Sequence, residues 1–108
     1  MVASDFIGIP ALMEQCAEEC TELAKSCLKM ARKMRNENPT PLGMDKILND
    51  LTEEFADVSL CMDQILEAGL LSEVTIDLTK ERKLKRWEKR INEMQPEIFK
   101  EKIINKGE

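Results

Sequence analysis

Residues 13–34 read MEQCAEECTELAKSCLKMARKM, and the fold follows from the spacing within this stretch. Met13, Cys16, Cys20, Leu23, Cys27, Met30 and Met34 step 3-4-3-4-3-4, the interval at which side chains return to one face of an α-helix. Pro10 suits the first turn of that helix, and Asn36 begins its end. Residues 36–43 (Asn-Glu-Asn-Pro-Thr-Pro-Leu-Gly) form a loop by composition. Beyond it Leu51, Phe55, Val58, Met62 and Ile65 repeat the helical step, and Gly69 is the natural stop. After a connection over residues 70–76, Asp77 is placed to cap a third helix with Leu84, Trp87, Ile91 and Met94 on one face. Pro96 ends it, leaving a 97–108 tail with a short turn of helix around Ile98, Phe99 and Ile103 and a frayed end over 105–108. No strand-like alternation and no internal repeat is present. The expectation is a single all-α domain over 1–108: an antiparallel helical bundle of three long helices plus a short C-terminal helix.

Size points to a partner. A chain of 108 residues buries only about 65 % of its unfolded surface, so the bundle is expected to be completed by oligomerisation. Composition narrows the chemistry further. There are 21 Asp+Glu against 16 Lys+Arg, a net charge of −5, and no histidine. Ser-His-Asp and Cys-His nucleophiles, imidazole bases and His-ligated zinc or iron are all excluded. The acidic balance argues against nucleic acid as a partner. No apolar run approaches the ~20 residues of a membrane span, and Met1 to Met13 lacks a basic leader region. The expected location is cytoplasmic. The four cysteines lack a C-x-x-C pair and read as reduced, small core hydrophobes.

Acid–base or metal chemistry must then run on carboxylates. Glu19/Glu22 and Glu54/Asp57 are i,i+3 pairs, neighbours on a helix surface. At about 100° per residue, Glu19 falls beside the first apolar seam and Glu54 joins the column of Val58, Cys61 and Ile65. Glu22 and Asp57 lie about 60° further out, whereas Glu53 points away. Buried like charges are costly, and a divalent cation relieves that cost. An all-oxygen donor set selects a hard ion, Mg²⁺ first and Mn²⁺ second. It does not suit a ferritin-like di-iron bundle, which needs Glu-x-x-His. Spacing alone leaves a second reading open, in which these acids flank the seam and pair with Lys25 or Lys46.

Charge is also segregated along the chain. Residues 44–70 hold seven acids and one base, and residues 80–90 hold seven bases and two acids. Most of the basic helix reads as solvated. Lys83 and Arg86, three apart, are the pair best placed to neutralise a phosphate.

Glu18-Glu19-Cys20-Thr21-Glu22-Leu23, followed by Glu53-Glu54-Phe55-Ala56-Asp57-Val58 and by the basic run Lys83 to Arg90, resembles the signature of the MazG-like all-α nucleoside triphosphate pyrophosphohydrolases. The resemblance spans roughly residues 10–92. It implies a helical dimer or tetramer that hydrolyses a (deoxy)nucleoside triphosphate to the monophosphate and pyrophosphate, in nucleotide-pool housekeeping. It also implies that Glu19, Glu22, Glu54 and Asp57 bind Mg²⁺ and carry the catalysis, and that Lys83 and Arg86 touch the substrate phosphates. One carboxylate, with Glu18 as a helper, would orient or deprotonate water. Phe6 is a candidate base contact, while Phe55 and Trp87 are expected in the core. The alternatives are the same scaffold acting on phosphoribosyl-ATP or a modified nucleotide, and a non-catalytic helical interaction or dimerisation module.

Overall fold

A computed structural model describes residues 1–37 and 41–107. The described residues are almost wholly helical: α1 (Ser4–Ile7), α2 (Ile9–Arg35), α3 (Met44–Glu67), α4 (Glu73–Met94) and α5 (Pro96–Gly107), with no strand among them. They fall into two compact units, Met1–Leu70 and Leu71–Glu108. None of the described helices is long and apolar enough to cross a membrane.

In the first unit α2 and α3 form an antiparallel hairpin. Cys16 meets Cys61 near one end, and Ser26 and Lys29 share a cleft with Ile47 and Asp50 near the other. Pro10 lies in the first turn of α2, where its missing N–H costs no helical bond. Asn36 closes the helix in the left-handed conformation, φ 53°, with its N–H on the carbonyls of Arg32 and Lys33. Gly69 follows the end of α3 with φ 76°, which a Cβ would strain. The short α1 carries no sequence signature comparable to the long seams. Its segment is held to α3 by one side chain: the Ala3 N–H donates to Gln64 Oε1 at 2.8 Å, and Gln64 Nε2 donates to the Met1 carbonyl at 3.2 Å. Residues 38–40 of the expected 36–43 loop lie outside the described residues.

The packed face of the hairpin is rotated from the expected seam. Its buried residues are Leu12, Cys16, Ser26 and Met30 on α2 and Ile47 and Val58 on α3. Half-buried Glu19, Leu23, Leu51 and Glu54 complete the lines. Met13, Cys20, Cys27 and Met34, expected inside, are exposed, and so are Met62 and Phe55, the latter at 63 %. The reason is that each helix carries apolar residues over more than one face, and one partner helix covers only one of them. Cysteine accordingly divides, with Cys16 buried, Cys61 half-buried, and Cys20 and Cys27 on the surface rather than in the core.

In the second unit α4 begins five residues earlier than a cap at Asp77 would place it. Ser72 is the cap, its hydroxyl accepting from the Thr75 N–H at 3.2 Å. The stripe Leu84, Trp87, Ile91 and Met94 exists but is exposed, Trp87 at 64 %, and α4 buries no residue. Pro96 starts α5 instead of only ending α4, because proline's fixed φ and missing N–H are tolerated at a helix's first position. That helix continues through Gly107, longer than the single turn expected and into the segment expected to fray, while Glu108 lies outside the described residues.

Candidate metal centre

The hairpin brings three of the four expected acids together. Glu19 from α2 and Glu54 and Asp57 from α3 each offer a carboxylate oxygen, and the three oxygens lie within 4.8 Å of one another. Glu19 and Glu54 are half-buried and Asp57 is exposed, in accord with their positions relative to the packed face. Glu19 Oε1 accepts from Gln15 Nε2 at 2.8 Å, one turn earlier on α2. Glu22, the fourth acid, stands outside this triad on the solvent side, where its carboxylate lies 3.5 Å from Lys25 Nζ. It remains close enough to Glu54 to repel its charge. Glu18 and Glu53 are exposed.

Electrostatics single out Glu54. Loss of hydration pushes its carboxyl above the ordinary value of 4.5, and repulsion from Asp57, Glu22, Glu19 and Glu53 adds to the shift. Among the described residues no lysine or arginine pairs with any member of the triad. Lys25 pairs with Glu22, and Lys46 Nζ donates to Asp50 Oδ1 at 2.7 Å. That contact, with the Asp50 charge, holds the Lys46 ammonium above its usual range. Of the two lysines expected as partners, Lys25 therefore meets one of the four acids, Glu22, and Lys46 meets Asp50 instead.

Beside the triad lies a sulfur pair. Burial first, and the adjoining Cys16 thiol second, push the Cys61 thiol up to about 11, with Glu19 and Asp57 adding repulsion. Cys61 is thus a neutral thiol at physiological pH and a poor metal ligand. It lies close enough to Glu19 and Asp57 to feel their charge. On the opposite side of Glu54 an open cleft of about 190 Å³ runs along the helix pair, lined by Glu22, Lys25, Ser26 and Lys29 from α2 and by Ile47, Asp50 and Glu54 from α3. Sequence spacing did not single out this cleft, because its lysines are spread through a helix rich in charge.

The other nominated residues belong to α4 and α1. Lys83 and Arg86 are exposed on α4 in the second unit, and Lys83 lines a small apolar hollow with Ile76 and Thr79 of the same helix. Phe6 is exposed on α1. The donor set suits a hard divalent ion, since three carboxylates from two helices converge without a histidine or thiolate. Comparison with protein-family models, with curated proteins and with solved structures finds no match.

Proposed function

We propose that the chain is a Mg²⁺-dependent nucleoside triphosphate pyrophosphohydrolase of the MazG-like class, releasing pyrophosphate and a nucleoside monophosphate in the cytoplasm. The observation that carries this reading is the convergence of Glu19, Glu54 and Asp57 to within 4.8 Å, with no basic side chain among the described residues paired with them. Glu19, Glu54 and Asp57 would hold the ion, and Glu22 would join them by turning from Lys25. A bound Mg²⁺, or Mn²⁺ in its place, supplies charge stabilisation to phosphate oxygens and acidifies a coordinated water. The chain's own contribution is to fix the carboxylates on two rigid helices and to accept a proton from the attacking water at one of them. Glu18, exposed beside the triad's Glu19, would help that carboxylate orient the water. Lys83 and Arg86 belong to this reading as phosphate contacts drawn from the resemblance.

The proposed active form is a homodimer or a pair of such dimers, with the α-helical hairpin as one half of a larger bundle. Met13, Cys20, Cys27 and Met34 on α2, and Leu48, Phe55 and Met62 on α3, recur every seven residues and are exposed. A seven-residue apolar repeat is the spacing that keeps a stripe against another helix. A second copy would present the same two stripes. These stripes also favour a second reading, a non-catalytic dimerisation module. The two part on one assay: incubation with a panel of ribo- and deoxyribonucleoside triphosphates and Mg²⁺, scored for pyrophosphate. Adding phosphoribosyl-ATP and modified nucleotides resolves the substrate. Release that disappears in Glu54→Gln supports the enzyme; no release from any compound, or full activity in the variant, overturns it.

A further inference from the structure

The cleft beside Glu54 holds a lysine with no acid of its own. Each acid along its rim other than Glu54 is matched, Glu22 by Lys25 at 3.5 Å and Asp50 by Lys46 at 2.7 Å. Lys29, one turn beyond Lys25 on α2, is half-buried and lines the same cleft. No carboxylate among the described residues comes within ion-pair distance of it. Its stem is covered by the helix pair while its ammonium keeps no carboxylate partner, which leaves the charge available to an anion entering the cleft.

Ser26 supplies a second, independent observation. It is the one polar side chain buried in the described helix interface, 9 % exposed. Its hydroxyl bonds no other described side chain or carbonyl, in contrast to Thr21, Thr52 and Thr79, whose hydroxyls bond the carbonyl four residues back. No buried side-chain nitrogen or oxygen among the described residues is sealed from solvent without a partner. The Ser26 hydroxyl is therefore reached from the cleft, where it can still donate one hydrogen bond.

We propose that Lys29 Nζ and the Ser26 hydroxyl hold a phosphate group of an incoming metal–polyphosphate in this cleft, next to the carboxylate triad. The inference rests on the metal-centre reading above and adds to it the strand of the substrate that the hairpin itself grips. The geometry is economical. The triad and the cleft share Glu54, so an ion held at the triad would neutralise the acids on one side while Lys29 neutralises phosphate oxygens on the other. The cleft's volume of about 190 Å³ is well above the roughly 10–15 Å³ that seats a single water on the same measure. A chain of phosphates, recognised by charge and not by its base, is the class of ligand this lining fits.

Calorimetric titration tests it, with Mg²⁺ alone and then with tripolyphosphate in the presence of Mg²⁺. Wild type is expected to bind both. Lys29→Gln should weaken tripolyphosphate by about tenfold or more, the size of one charge-assisted hydrogen bond, and Ser26→Ala by several-fold. Mg²⁺ uptake should be unchanged in either variant, and Lys29→Arg should restore most of the loss. Lys29→Met, which keeps the packed stem and removes the charge, covers the case in which the Gln variant folds poorly. Equal tripolyphosphate affinity in wild type and both neutral variants overturns the proposal. So does a wild type that takes up Mg²⁺ but not tripolyphosphate, an outcome that leaves the metal centre standing. Failure to bind Mg²⁺ at all removes the metal centre, and the phosphate site falls with it.

Discussion

Glu19 and Glu54 face one another from opposite helices of the hairpin, their carboxylate oxygens within 4.8 Å and neither paired with a cation among the described residues. Two half-buried acids at that distance oppose folding by their mutual repulsion. Natural cores rarely keep such an arrangement unless a charge from outside completes it. The hairpin's remaining contacts must therefore hold the two acids together, and that division of labour sets the outcomes below.

Replacing Glu54 by Gln removes the most strongly opposed charge while keeping the side chain's shape. The metal-free protein is expected to become more stable at neutral pH, by a few degrees in melting temperature measured in the presence of EDTA. Glu53→Gln, on an exposed residue one position away, should move it much less.

Acid should stabilise the metal-free chain over a defined interval. The Glu54 carboxyl ordinarily titrates near 4.5 and is raised in the fold by lost hydration and by Asp57, Glu22, Glu19 and Glu53. The folded state thus holds its proton more tightly than the unfolded state. Its penalty is complete above the folded pKa and fades as pH falls toward 4.5. Urea melts between neutral pH and the upper carboxylate range should show rising stability in wild type and a flatter profile in Glu54→Gln.

The same hairpin depends on a narrow core. Ile47 is 1 % exposed, so Ile47→Ala should cost about 2–4 kcal/mol in denaturant unfolding. Phe55, for all its size, is 63 % exposed and should behave oppositely. Phe55→Ser is expected to leave the protomer's unfolding nearly unchanged while weakening self-association in sedimentation, as removal of one member of the Leu48, Phe55, Met62 stripe.

The helices were legible in sequence because their apolar residues keep the 3-4 step and their ends carry Pro10, Asn36 and Gly69. The rotation of the packed face was not. Met13, Cys20 and Phe55 are as apolar as Leu12, Cys16 and Val58, and only the partner helix decides which set it covers. The column of Glu54 with Val58 and Cys61 was readable, since a polar residue among apolar ones on one face marks itself. Glu22 was less so: its angle on the helix places it near Glu19, yet its carboxylate lies on the exposed side, 3.5 Å from Lys25. Sequence does not separate Ser72 from Asp77 as the cap, because both types cap helices and the apolar residues between them, Val74 and Ile76, lack a clear period. Lys29 carried no signal at all, as an unpaired lysine is defined by what surrounds it in space.

Thermal melting with and without Mg²⁺ bears most directly on the claim that the Glu19, Glu54 and Asp57 cluster is a divalent-cation site. An ion that binds only the folded state stabilises it by about 2.7 kcal/mol at a hundredfold excess over its Kd. Wild type is expected to melt at progressively higher temperature as Mg²⁺ is added at constant ionic strength, and Glu54→Gln to lose most of that response. A melting temperature indifferent to Mg²⁺, or one that rises equally in both proteins, would contradict the claim.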